Sequence, residues 1–252
     1  MQDCRPMNRV AVVQARMTST RLPGKVLMDL GGRPMLERQL ARLARSERVD
    51  EIVLAVTDNP EDEPLVELAR TLGVRWHRGS EHDVLDRYVG AAREASADLV
   101  VRVTSDCPLI DPREVDVVVA ALEERPARYD YAANNLERDL PRGLDCEALW
   151  ADVLERMGRM ATSSPAREHV TWFCHAERPE LFERHTVRRP YDAADLRWTV
   201  DTPEDLALMR RLYAELGLAD HDPGLDLILA HVRAHPELAA LNAHVAQKDP
   251  RA

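Results

Sequence analysis

Short apolar runs alternate with longer stretches in which leucines recur every three or four positions, and this alternation organises the first half of the chain. Val10-Ala11-Val12-Val13 reads as a buried parallel strand. After a Gly31-Gly32-Arg33-Pro34 turn, Leu36, Leu40 and Leu43 fall at helical spacing. Glu51 to Thr57 reads as a second strand. Leu65, Leu68 and Leu72 mark a helix that ends at Gly73. Val74 to His77 is a short third strand, Ser80-x-x-Asp83 opens a helix to about Ala95, and Asp98 to Thr104 is a fourth strand. Asp111-Pro112 then caps a helix running through Glu124.

Strand and helix alternating over short connections predict an α/β domain with a mostly parallel sheet between two helical layers. From Tyr129 the pattern blurs. Tyr129 to Ala133 reads as a strand, Asp139 to Glu147 as a loop, and Leu149–Met157 and Arg167–Ala176 as helices before an extended His185 to Arg189. Leu196 to Asp201 reads as a strand, followed by a strong helix start at Thr202-Pro203-Glu204-Asp205 and a helix through Leu216. One or two surface helices are expected between Asp222 and His244, then a frayed tail to Ala252. The expected organisation is one domain over residues 1–252. Residues 9–133 and 196–217 form its core, 134–195 a subregion, and 218–252 the C-terminal helices and tail.

Composition narrows the possibilities. The chain of 252 residues carries a net charge of −10, which argues against a nucleic-acid partner and leaves room for a small anion in a local basic pocket. No apolar run of membrane-spanning length occurs, and the N-terminus lacks the pattern of a signal peptide. Cys4, Cys107, Cys146 and Cys174 form no CxxC pair, so a cytoplasmic protein without a zinc or disulfide framework is expected. Nearly all the positive charge is arginine; the lysines are Lys25 and Lys248.

In such a sheet, ligands sit over the carboxyl ends of the strands. The stretch there is Gln14-Ala15-Arg16-Met17-Thr18-Ser19-Thr20-Arg21-Leu22-Pro23-Gly24-Lys25, dense in anion-directed donors. A Walker A loop would need glycine where Ser19 stands and Ser or Thr where Val26 stands, and a dinucleotide fingerprint needs three glycines. What remains is a loop that binds phosphate through Arg16, Ser19, Arg21 and Lys25, with Pro23-Gly24 setting the turn.

Those twelve residues closely resemble the opening motif of the cytidylyltransferases that make CMP-activated sugars, the acylneuraminate and 3-deoxy-manno-octulosonate enzymes and above all the spore-coat-polysaccharide type. Ser105-Asp106-Cys107-Pro108-Leu109 resembles that family's Asp-x-Pro-Leu metal motif, and Val200-Asp201-Thr202-Pro203-Glu204-Asp205 its second acidic motif. Asp83 to Tyr88 and Arg167 to Thr171 match the spore-coat branch, so the likeness runs from about Arg9 to Leu216.

The resemblance implies a nucleotide-diphospho-sugar-transferase-like fold and a magnesium-dependent transfer of CMP from CTP to a keto-sugar acid, with pyrophosphate released. Asp106 and Asp201 would hold Mg2+, Lys25 and Arg16 the β- and γ-phosphates, and Arg21 the leaving group. Arg16, Lys25, Asp106 and Asp201 are thus the expected catalytic residues. Gln14, Ala15, Ser19, Gly24, Ser80 and Arg87 complete the expected nucleotide site. Asn134, Arg142, Glu147, Arg167 and His169 are the candidates for the small-molecule acceptor, with Asn135 beside them. Relatives also suggest a homodimer, for which Trp150, Trp172 and Phe173 are aromatic candidates. Two other readings stay open: a nucleotidyltransferase of the same fold acting on a phosphonate, alcohol or sugar phosphate, and a non-catalytic nucleotide-binding protein.

Overall fold

The computed structural model describes residues 5–247, so Cys4, Lys248 and the expected frayed end lie outside the described residues. One seven-stranded sheet forms the centre, with strands β1 (Arg9–Gln14), β2 (Glu51–Thr57), β3 (Arg75–Gly79), β4 (Leu99–Thr104), β5 (Tyr131–Ala133), β6 (Glu147–Trp150) and β7 (Arg184–Thr186). Their order across the sheet is β3-β2-β1-β4-β6-β5-β7. The first four strands pair in parallel; β6 runs antiparallel to both β4 and β5, and β7 is parallel to β5.

Alternate residues of each strand feed opposite layers, as the two-residue strand period requires. Ala11 and Val13 pack with helices α1 (Met35–Leu43), α2 (Glu63–Leu72) and α4 (Pro112–Glu123). Val10 and Val12 pack with α3 (Val84–Glu94) and α5 (Ala151–Met160) on the other face. The helix starts follow local chemistry. Asp83 accepts from the Asp86 N–H, Asp111 from the Arg113 N–H, and Thr202 and Asp205 form a reciprocal capping box that opens α7 (Pro203–Glu215). The short α6 (Ser164–Glu168) and the C-terminal α8 (Leu225–Ala234) and α9 (Pro236–Ala240) complete the set. No helix among the described residues is long and apolar enough to cross a membrane.

Three sequence expectations fail. β6 lies where a loop and a helix were expected; four residues are too few to show an alternating pattern, and Trp150 leads directly into α5. The segment 196–201 is extended but joins no ladder. Its backbone bonds to loops instead: Trp198 N–H to Arg142 O at 2.6 Å, Val200 N–H to Asp106 O at 2.8 Å. The helix expected over Arg167–Ala176 is broken, because Val170 takes a positive φ of 51° and a π-helical turn, Phe173–Glu177, follows. A positive φ at a β-branched residue stops an α-helix. Of the proposed interface aromatics, Phe173 is buried in the core, and the Trp150 indole N–H donates to Tyr129 O at 2.9 Å.

Candidate active site

The loop after β1 is closed on itself and braced from outside. Gly24, at φ 69°, donates its N–H to Met17 O at 2.9 Å, so the chain folds back over the strand end. Asp62, fully buried, accepts the Met17 N–H at 2.7 Å with one oxygen, and the Thr57 N–H and hydroxyl with the other. Glu81 forms a second brace. It takes Thr18 Oγ1 at 2.6 Å, Asn59 Nδ2 at 2.7 Å and Arg16 at 3.2 Å, and the Thr18 and Asn59 hydrogen bonds hold its carboxyl below the ordinary range.

At the loop's far end, Lys25 turns inward. Its ammonium lies 2.9 Å from Asp201 Oδ1 and 3.3 Å from Asp106 Oδ2, and donates to Val200 O at 2.6 Å. Burial opposes the charge of Lys25, but Asp106 and Asp201 outweigh it and raise the ammonium above its ordinary 10.5. Burial likewise pushes Asp106 up, while Lys25 and the Thr104 hydroxyl bring it below its ordinary 3.8. Asp201 Oδ2 also meets Arg21 at 2.8 Å and Arg197 at 2.7 Å. Behind them, Asp205 accepts Arg197 Nε at 2.9 Å and the Asp201 N–H at 2.9 Å, and Asn242 donates to Asp205 at 2.8 Å.

Three clefts adjoin here, and the first two share Asp106 and Asp201. The first, about 340 Å³, is lined by Gln14, Ala15, Arg16, Ser19, Arg21, Lys25, Arg87, Asp106, His169 and Asp201 among others. The second, about 290 Å³, holds Asp106 and Asp201 with Asn135, Arg142, Glu147 and His169. The third, about 730 Å³, continues outward past Arg138, Trp172, His175 and Arg184. His169 lines all three, so it stands where they meet. Arg87 is 2 % exposed, donates to Ser80 O at 2.7 Å, and burial lowers its pKa. Arg142 has no ion pair among the described residues, and burial lowers its pKa as well.

Not every expected residue reaches a cleft. Asn134 is buried and spends its amide on Leu144 O and the Cys146 N–H. Arg167 is tied to Asp83 and to the carbonyls of Gly158 and Ala161, pinning α6 against the start of α3. The Ser80 hydroxyl accepts the Asp83 N–H, and Gly24 shapes the loop from behind. Glu147 does line the second cleft. It also faces Arg102 across β4 and β6, with 2.5 Å between Arg102 Nη1 and Glu147 Oε1. Sequence reasoning missed Arg102, although a charge inside Val-Val-Arg-Val-Thr was a visible signal. It also missed Glu81, Asp62 and Asn242, which act through partners distant in sequence, and Arg197, which pairs with Asp201 and Asp205 four and eight positions on.

The donor set at the floor suits a hard divalent cation. Asp106 and Asp201 supply carboxylate oxygens facing the clefts, and no third His, Cys, Asp or Glu joins them in a metal-binding cluster among the described residues. Mg2+ is bound in this way, by one or two carboxylates with phosphate and water oxygens completing the shell.

A family model described as cytidylyltransferase matches residues 10–216. An uncharacterized protein of Methanocaldococcus jannaschii is 35 % identical over 97 % of this chain and 98 % of its own length. The spore coat polysaccharide biosynthesis protein SpsF of Bacillus subtilis is 33 % identical over 82 % of this chain and 86 % of that protein. A solved cytidylyltransferase from Leptospira borgpetersenii serovar Hardjo-bovis superposes with a TM-score of 0.85 at 29 % identity, covering 93 % of this chain and 97 % of that one.

Proposed function

The chain belongs to the cytidylyltransferase family, and on that premise we propose that it transfers CMP from CTP to the hydroxyl of a keto-sugar acid, with Mg2+ as cofactor, for surface polysaccharide synthesis. The observation that carries this reading is the junction of the clefts. A cationic loop borders one cleft, an acceptor-sized cleft lies beside it, and both are lined by Asp106 and Asp201, which Lys25 bridges from the side of the first.

In the proposed reaction the triphosphate lies in the first cleft, with Arg16, Arg21 and Lys25 supplying charge-assisted hydrogen bonds to its oxygens. Asp106 and Asp201 would hold the divalent ion, which supplies charge neutralisation to the phosphates when bound. The acceptor hydroxyl approaches from the second cleft. Its oxygen gives up its proton to solvent and bonds to the α-phosphorus as the bond from that phosphorus to the oxygen bridging to the β-phosphate breaks, and pyrophosphate departs along the arginine-lined loop. Holding both reactants in line is the main contribution of such a site. Arg142, half-buried and without an ion pair among the described residues, suits an acceptor that carries a negative charge.

The test is pyrophosphate release from CTP, ATP, GTP and UTP against a panel of keto-sugar acids, sugar phosphates, phosphonates and alcohols. Release with CTP and a keto-sugar acid is expected. Release only with one of the other acceptors would replace the acceptor assignment. CTP binding without release across the panel would overturn the transferase reading.

A further inference from the structure

Two roles compete for Lys25. Its ammonium neutralises Asp106 and Asp201 at 3.3 Å and 2.9 Å, yet the reaction asks the same lysine to hold phosphate and the same carboxylates to hold a divalent cation. The lysine side chain is 9 % exposed, so its loss from the pair would leave two carboxylates facing each other with little solvent to screen them. Asp201 is also engaged by Arg21 and Arg197, and Asp205 backs Arg197. Asp106, Asp201 and Asp205 thus face Lys25, Arg21 and Arg197, and the cluster is electrically neutral.

A free divalent ion entering this cluster would add two positive charges to a neutral site and would have to displace an ammonium held by both carboxylates and by Val200 O. A metal–triphosphate complex arrives with net negative charge, and its phosphate oxygens offer Lys25 new partners. We propose that Lys25 makes the site selective for the metal–nucleotide complex over the free metal ion: ammonium and divalent cation compete for Asp106 and Asp201, and the triphosphate releases the carboxylates by taking the lysine. Metal and nucleotide therefore enter together. The identity of the triphosphate rests on the transferase reading; the competition between lysine and metal does not.

The test uses Mn2+ as the probe, followed by electron paramagnetic resonance without nucleotide. Lys25→Met should bind Mn2+ about tenfold more tightly or better than the unmodified chain, because the competing charge is gone while stem length is kept. Equal Mn2+ affinity in the two proteins would overturn the proposal. Should Lys25→Met fail to fold, the native protein still answers. The chain contains Lys25 and Lys248 as its lysines, so lysine-selective 13C labelling yields two side-chain signals, assigned by Lys248→Arg. The Lys25 signal should stay in place with Mg2+ alone and move when Mg2+ and CTP are added together. Displacement of that signal by Mg2+ alone, at the concentrations that suffice with CTP, would overturn the proposal. A chain that ignores CTP while Lys25→Met takes Mn2+ more tightly would uphold the competition and overturn the nucleotide reading.

Discussion

β1 to β4 run parallel, and the carboxyl ends of β1 and β4 open directly into the first cleft through Gln14 and Thr104, whereas β5 to β7 are short and assembled from distant segments. In the parallel half, function follows local sequence: a strand ends, a loop begins, and its side chains line the cleft. In the other half, function depends on register. Arg102 meets Glu147 only because β6 runs antiparallel to β4, and Arg142 reaches the cleft only because its loop bonds to 196–198. In the proposed reaction the parallel half supplies charge for the triphosphate, while the other half frames the space for the acceptor.

The largest effects are expected at Asp106 and Asp201, which both clefts share. Asp106→Ala and Asp201→Ala should each cut turnover by about 10²–10³-fold or more with the circular dichroism spectrum retained. Near-normal turnover in either variant would remove that residue from the proposed metal site. Next in size is Glu147→Gln, which removes the buried carboxylate that neutralises the half-buried Arg102. A loss of about 3–5 kcal/mol in urea denaturation at neutral pH is expected, and no loss would mean that the two strands are held by packing alone.

The same residue carries a pH signature. Burial pushes the Glu147 carboxyl up, but Arg102 outweighs it and holds the group below its ordinary 4.5. The stability from this pair is therefore fully present above pH 4.5 and is lost as pH falls through the lowered folded value. Urea midpoints of Glu147→Gln should fall less steeply with acid than those of the unmodified chain, and parallel profiles would contradict this account.

Arg142→Ala tests the division of labour. Its removal should raise the acceptor KM by about 10- to 150-fold, the loss expected for one charge-assisted hydrogen bond of ~1.5–3 kcal/mol, with the CTP KM unchanged. A rise in the CTP KM instead would place Arg142 in the nucleotide half. The smallest effect belongs to Arg167→Ala, with about 1–2 kcal/mol lost from stability and both KM values intact. An altered acceptor KM with an unaltered melting temperature would return Arg167 to the acceptor site.

The parallel half was largely legible in the sequence because its signals are local. The apolar runs, the Asp111 cap and the Thr202–Asp205 box lie within a few residues of what they control. The loop motif, Asp106 and Asp201 could be named together from the chain alone. Their bracing could not: Glu81 meets Arg16 and Thr18 across more than sixty positions, and Asn242 meets Arg197 across 45. The acceptor half was legible only in part. β6 is too short to show a period, Val170 overrides helical spacing by a single dihedral, and the choice between Asn134 and Asn135 is settled by which neighbour β6 turns inward.

Gly143 links the halves in a way that bears on redesign. At φ 109° it lies so close to the neighbouring backbone that a Cβ there would fall 2.5 Å from Thr199 N. Any side chain would push the Arg142 loop away from the segment leading to Asp201. A library aimed at new acceptors can therefore vary Glu137, Arg138 and Asp145 around this point, since their side chains face the outer cleft. Varying position 143 would retune the acceptor space and the acidic floor at once, so acceptor scope and catalytic competence share one pivot that such a library should leave alone.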